Sequence, residues 1–319
     1  MLRGLSLLEK VVAVGVPLGA LLIGAAGGVV LVAWVLRAAR RLPAPASRNR
    51  RVAERVLVTL LAVELLCAGY AWRVEPYWAE TTHHRVELDA LAPGAKPIRL
   101  VHISDTHCDA RVRLEEDLPA HIDALRPDAV VFTGDAINSP DGQDNFRTLI
   151  RELTRIAPVY AVAGNWDHYL PFSPRELYRG TDARLLEGQA LPLECADGRV
   201  WLAGAADGDV AGLVSAVADV PDGAAVIALY HRPDELERVC GAADVYLTGH
   251  THGGQLALPL YGPMVTLSRH GRRFARGRHN VGGTALLVSR GIGMEGGPAP
   301  RVRFLSRPEI GLIELTPRR

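Results

Sequence analysis

Residues 247–255 read LTGHTHGGQ, with His250 and His252 on either side of one threonine, after an apolar run and before two glycines. The run itself, from Ala243, is of strand length and ends at the histidines. Four earlier apolar runs end in the same manner. PIRLVHISD (97–105) leads into Asp105 and His107, and PDAVVFTGD (127–135) ends at Asp135 with Asn138 close behind. PVYAVAGN (158–165) ends at Asn165 and is followed by Asp167, and AAVIALYH (224–231) ends at His231.

Between these runs lie stretches with helical spacing, LEEDLPAHIDALR (114–126, with Pro119 as a break), NFRTLIRELTRI (145–156) and PDELERVC (233–240). Continuous apolar strands alternating with amphipathic helices predict an α/β fold whose sheets are covered on both faces. The segment 79–89 alternates loosely and reads as an edge strand, and the tail reads as two or three further strands. In α/β sheets chemistry gathers beyond the carboxyl ends of the strands. Five strand ends therefore bring carboxylates, imidazoles and an amide to one edge.

Asp or Asn after a single strand is commonly a turn former, and a lone histidine is commonly a bonded loop residue. His83, His84, His121, His270 and His279 read that way, because none ends a strand. Five such endings in succession call for more than turn chemistry. In an extended chain, residues two apart point the same way, so Asp105 with His107, and His250 with His252, can each enter one cavity unless the chain turns between them. Three Asp/Asn oxygens and four imidazoles, with no thiolate, suit Mn²⁺, Fe²⁺, Zn²⁺ or Co²⁺. Seven donors exceed what one catalytic ion accepts, and suit two ions sharing a carboxylate, about 3.5–4 Å apart, acting on phosphorus.

Composition narrows the setting. The 319 residues suffice for one large domain with an appendage and need no metal or disulfide merely to fold. A formal charge of +1, from 36 basic and 35 acidic residues, gives no polyelectrolyte signal, so no nucleic-acid polymer is expected as a partner. The cysteines Cys67, Cys108, Cys195 and Cys240 have no paired spacing.

Residues 11–36 carry no charge and are long enough to span a bilayer. Gly15, Gly19, Gly24 and Gly28 give G-x-x-x-G spacing that could seat a second helix. Residues 56–72 form a shorter apolar run containing Glu64, followed by Trp72, Tyr77 and Trp78 as an interfacial belt. The arginine-rich loop 37–55 between them is placed in the cytoplasm by the positive-inside rule. A membrane anchor over 1–75 with two spans, and an extracytoplasmic domain over 76–319, is the expected organisation; with 56–72 as an interfacial helix instead, the large domain stays inside.

In order and context, Asp105-x-His107, Gly134-Asp135, Gly164-Asn165, His231 and Gly249-His250-Thr251-His252 resemble the motifs of the calcineurin-like metallophosphoesterases. The tail VSRGIG…PRVRF and the HRPD at 231–234 resemble the bacterial membrane-associated branch, which includes UDP-2,3-diacylglucosamine pyrophosphatase-type enzymes. The resemblance implies a four-layer α/β/β/α sandwich. It implies Asp105, His107 and His252 on one metal, Asn165, His231 and His250 on a second, and Asp135 bridging. It also implies hydrolysis of a phosphodiester or pyrophosphate, lipid-linked in one reading, by a metal-bound hydroxide.

One position departs from the pattern: Trp166 stands where the family carries a histidine beside the leaving group. Indole donates one hydrogen bond but shuttles no proton. Either the leaving group needs no acid, which favours a diester or pyrophosphate, or His168 supplies the proton, or the chain is a metal-binding scaffold with impaired catalysis.

Overall fold

The computed structural model describes residues 7–41, 43, 45, 47–296 and 300–318. The chain divides into two compact units, Met1–Val74 and Glu75–Arg319.

The first unit consists of helices α1 (Leu7–Ala39) and α2 (Arg48–Arg73). Within α1, Lys10–Ala39 is long and apolar enough to cross a membrane. The expected second span, 56–72, lies inside α2. The expected arginine-rich loop over 37–55 is largely helical instead: α1 continues to Ala39, and α2 starts directly after its N-cap Ser47. Residues 42, 44 and 46 of that stretch lie outside the described residues. The close approach of the two helices differs in detail from the glycine spacing. A Cβ on Gly24 would come within 3.0 Å of Glu64 Oε2, and one on Gly27 within 2.8 Å of Leu57 O, whereas Gly15, Gly19 and Gly28 face open space. At the arginine-rich end, buried Glu54 accepts hydrogen bonds from Trp34 Nε1 (2.8 Å), from Arg37 Nη1 (2.9 Å) and Nη2 (3.0 Å), and from Arg50 Nε (3.1 Å).

The second unit is built on two six-stranded sheets. The strands of its first half are β1 (Glu80–Leu88), β2 (Ile98–Ile103), β3 (Ala129–Phe132), β4 (Val159–Ala161) and β5 (Arg184–Leu185), with helices α3 (Leu118–Ala124), α4 (Gln143–Ile156) and α5 (Pro174–Leu177). The second half contributes β6 (Gln189–Pro192), β7 (Val200–Gly204), β8 (Ala225–Leu229) and β9 (Val245–Thr248), with helices α6 (Val210–Ala218) and α7 (Leu236–Val239). A small hairpin, β10 (Ala257–Leu258) and β11 (Gly262–Pro263), precedes β12 (Gly277–Val281), β13 (Thr284–Val288) and β14 (Glu309–Pro317).

The sheet orders are β1-β14-β2-β3-β4-β5 and β12-β13-β9-β8-β7-β6. Segment 79–89 is an edge strand, paired parallel to β14. Pro119 occupies the first turn of α3, where its missing N–H costs nothing, and does not interrupt the helix.

Side-chain alternation produces four layers. On β2 and β3, Leu100 and Val131 face the second sheet, where they meet Ile227, Leu229, Leu247 and Leu287. Their neighbours Val101, Val130 and Phe132 face outward against Leu118 and Ile122 of α3 and Phe146, Leu149 and Ile150 of α4. On β8, Val226 and Ala228 meet Leu213 and Ala216 of α6 and Leu236 of α7. Each fully buried leucine or phenylalanine contributes on the order of 1.5–3 kcal/mol. The order is helix, sheet, sheet, helix. Strands β2, β3 and β4 run parallel in one sheet and β7, β8 and β9 in the other, so the loops that follow them form one rim.

Candidate metal centre

The loops leaving β2, β3, β8 and β9 gather two buried triads, Asp105–His107–His252 and Asp135–His231–His250, each with donor atoms within 4.8 Å of one another. The chain does turn between the paired residues. Asp105 (φ 51°), His107 (φ 42°), Asp135 (φ 58°), His250 (φ 69°) and His252 (φ 51°) all occupy the left-handed region. Five of the six triad residues thus hold a backbone shape that non-glycine residues seldom adopt, at roughly 1 kcal/mol or more each. The extended geometry anticipated from the two-residue spacing is therefore replaced by tight turns, which aim neighbouring side chains at different positions.

Glycines permit the crowding. A Cβ on Gly249 would lie 2.1 Å from Asp105 Oδ2, and one on Gly134, itself at φ +92°, would lie 2.3 Å from Gly164 N.

Asp135 lies between the triads. Its Oδ2 is 3.1 Å from His231 Nε2 and 3.6 Å from His107 Nε2. Its Oδ1 accepts the backbone N–H of Trp166 at 2.8 Å, which fixes the carboxylate plane. Asp105 Oδ1 lies 3.4 Å from His252 Nε2 and 4.0 Å from His231 Nε2, while the His250 N–H donates to both of its oxygens at 3.1 and 3.2 Å. The Nε2 atoms of His107 and His252 approach to 3.1 Å. His231 Nδ1 is 2.7 Å from Thr133 O; a carbonyl only accepts, so Nδ1 carries the proton and Nε2 faces the cluster. His250 Nε2 lies 3.4 Å from Leu267 O, leaving Nδ1 as its inward donor.

The donor set fits two divalent ions. Asn165 Oδ1 is buried without a hydrogen-bond partner, an arrangement that is expensive unless a cation satisfies it, and His231 Nε2 faces the Asp135 carboxylate at 3.1 Å. Burial pushes His107 down to about 4 and His250 down to about 3, and also depresses His252, so these imidazoles are neutral and ready to ligate at pH 7. Burial would depress His231 too, but the carboxylates of Asp135, Asp105 and Asp207 outweigh it and raise His231 to about 10. Burial, with Asp135 nearby, raises Asp105 to about 7, whereas the facing histidines overcome burial and hold Asp135 well below the usual range.

Asp167 has a part that turn chemistry in GNWD did not reveal. Its buried carboxylate accepts the backbone N–H of Asp135 (3.0 Å), Ala136 (2.9 Å) and Gly164 (2.8 Å), tying the β3 loop to the β4 loop. Asn138 Nδ2 donates to His107 O at 2.9 Å, which supports the site from outside it. Arg303 is wholly buried and donates to Gly293 O (2.9 Å), Ser306 O (2.8 Å) and Arg290 O (2.9 Å), with Nη2 3.4 Å from His252 Nδ1. No sequence pattern marks Arg303 as a clamp, because its partners are carbonyls.

The Trp166 ring meets His107 edge-on, with centroids 5.7 Å apart. His168 is exposed on the same turn, outside both triads.

The model of the calcineurin-like phosphoesterase family matches residues 98–254, the stretch that supplies both triads. The metallophosphoesterase YkuE of Bacillus subtilis, itself uncharacterised, is 31% identical over 261 residues, covering 77% of this chain and 89% of the relative. Phosphodiesterase YaeI of Escherichia coli is 27% identical over 260 residues, covering 77% and 92% respectively. Among solved structures, a dimetal phosphatase from Danio rerio aligns with a TM-score of 0.41 at 14% identity, covering 65% of this chain and 91% of that one. The chain belongs to the calcineurin-like phosphoesterase family.

Proposed function

We propose that the chain is a membrane-anchored phosphohydrolase that holds two divalent ions and cleaves a phosphodiester or pyrophosphate. One observation carries the reading: Asp135 Oδ2 lies within 3.6 Å of His107 Nε2 and 3.1 Å of His231 Nε2, so the two triads share a carboxylate. Asp105, His107 and His252 would hold one ion, Asn165, His231 and His250 the other, and Asp135 both. When bound, such a pair supplies Lewis-acid polarisation of phosphoryl oxygens and a water acidic enough to attack at neutral pH.

The protein's own groups do the positioning. The Trp166 N–H fixes one oxygen of Asp135 and leaves the other for the ions. The three bonds to Asp167 fix the loop that carries Asp135. The indole at 166 can donate a hydrogen bond but no proton. Leaving groups that depart as stable anions, such as an aryl oxide, a nucleotide or a phosphate, suit this site.

The long, apolar Lys10–Ala39 segment supports membrane attachment. With 56–72 as a second span and the arginines of 37–55 inside, the phosphoesterase unit faces away from the cytoplasm. Metal-dependent hydrolysis of bis(4-nitrophenyl) phosphate by the full chain should disappear in Asp135→Ala, and undiminished activity in that variant would sink the assignment. Reporter fusions beyond residue 75 should be active only when the reporter functions outside the cytoplasm.

A further inference from the structure

Between Asp244 and Glu295 the chain has no carboxylate, yet it carries Arg269, Arg272, Arg273, Arg276, Arg278 and Arg290. Arg269 pairs with Glu235, and Arg290 with Glu80 and Glu309. Among the described residues, Arg272, Arg273, Arg276 and Arg278 have no carboxylate partner. Arg272 and Arg276 spend hydrogen bonds on carbonyls instead, Tyr261 O (2.7 Å) and Leu305 O (3.0 Å), which fixes them in place and leaves their charge uncompensated.

The same surface carries exposed apolar side chains. Among the described residues, seven large hydrophobic residues of the second unit are exposed, and Tyr77, Trp78, Leu260 and Leu305 are four of them. These four sit on segments bonded to one another. Ala257 N donates to Phe304 O (2.8 Å), Phe304 N to Gln255 O (3.0 Å), and Leu305 N to Glu75 Oε2 (2.8 Å).

Leu260, at the tip between β10 and β11, is fully exposed and at φ +66°, a position where a leucine is unfavourable both for its side chain and for its backbone. Arginines flank the apolar groups: Arg307 lies 4.1 Å over Trp78, and Arg272 lies 4.1 Å over Tyr261. Apolar tips beside stacked guanidinium groups, Arg272 uncompensated and Arg307 4.0 Å from Glu80, have the composition of a surface that dips into lipid headgroups.

This face adjoins the metal centre. Ser306 Oγ donates to the carbonyl of His252 at 2.7 Å, and Gln255 lies three residues beyond His252. Glu75, which accepts the N–H groups of Leu305 and Ser306, is the second residue after α2 in the chain.

We propose that this face rests on an anionic bilayer surface, with Leu260, Leu305 and Trp78 in the headgroup layer and Arg272 and Arg276 against lipid phosphates. The metal centre then acts on phosphate groups presented at that surface, so the substrate is a phosphate ester or anhydride borne by a lipid. The substrate half of this inference rests on the hydrolase reading above.

The test uses the full chain in nanodiscs of phosphatidylcholine or of phosphatidylglycerol, with amide exchange followed over 256–263 and 303–307. Exchange there should slow roughly fivefold or more in the anionic discs. Added salt should reverse the effect, and Leu260→Glu combined with Arg276→Glu should remove it. Val214→Glu, an exposed position on α6, should keep it. Equal exchange in the two lipids overturns the proposal, as does protection by single-stranded DNA in place of anionic lipid.

A phosphodiester bearing one acyl chain is then compared with bis(4-nitrophenyl) phosphate. Preference for the acylated ester in anionic discs, lost in the double variant, supports the substrate class. Turnover of both esters without preference overturns the inference and leaves the hydrolase reading intact. Absence of metal-dependent turnover on either ester overturns the hydrolase reading, and the substrate half with it.

Discussion

Removing the Asp167 carboxylate should loosen the metal centre without touching any proposed ligand. Its two oxygens accept three backbone N–H groups, from Asp135, Ala136 and Gly164, at 3.0, 2.9 and 2.8 Å, all buried. Asp167→Ala strands three buried donors at roughly 1–3 kcal/mol each, and water entering the vacated space recovers part of that. The expected destabilisation is about 3–5 kcal/mol, a large share of the roughly 5–15 kcal/mol typical of a folded chain. Asp135 stands at φ 58°, so the loop it sits on has a reason to relax once released.

Asp167→Asn separates the causes. Its carbonyl can replace Oδ2, which serves both Asp135 and Gly164, but its amide then faces the Ala136 N–H, donor against donor. It should therefore cost about a third to a half as much as alanine. Denaturant unfolding in detergent, alongside metal content after dialysis, measures both effects. Stability and metal content unchanged in Asp167→Ala would refute the reasoning. Equal losses in the two variants would show that the charge of Asp167, and not its hydrogen bonds, is what matters.

Three further outcomes follow from the same geometry. His231 is raised to about 10 by the carboxylates around it, so at neutral pH an incoming ion must displace its proton. Metal affinity should rise by up to about tenfold per pH unit between 7 and 9, read by competition with a chelator, and a flat profile would contradict this. Gly249→Ala places a Cβ 2.1 Å from Asp105 Oδ2, which should strip metal and activity at a stability cost of about 1–3 kcal/mol; retained metal would show that the loop yields. Trp166→His should raise kcat for alkyl phosphoesters, which need a proton at the leaving group, by about tenfold or more, with little change for 4-nitrophenyl esters. Equal effects on both ester classes would remove the leaving-group argument.

The strand ends were legible in the sequence because each buried strand is an unbroken apolar run, and a polar group directly after it can only lie on the rim. Their partition into two triads was not open to spacing. It depends on the left-handed turns at Asp105, His107, Asp135, His250 and His252; Asp and His enter that region more readily than most residues, but their type alone does not say which of them turn. Asp167 was visible as a residue but not as a tie, because its partners are backbone N–H groups from another strand's loop. Arg303 and Glu75 were silent because both act on main-chain atoms, Arg303 on carbonyls 3 to 13 residues away and Glu75 on an N–H 230 residues away. The arginine-rich 37–55 stretch was read as a loop between two spans, yet helix α2 begins at Arg48, where Ser47 provides an N-cap.

The central claim is that two ions share Asp135, and counting metal tests it most directly. Metal bound per chain should be measured by elemental analysis for the purified full chain and for His252→Ala, His250→Ala and Asp135→Ala, each dialysed identically. The account predicts two ions in the parent chain, about one in each histidine variant, and fewer than one in Asp135→Ala. A single ion in the parent chain, or two ions retained without Asp135, would contradict it.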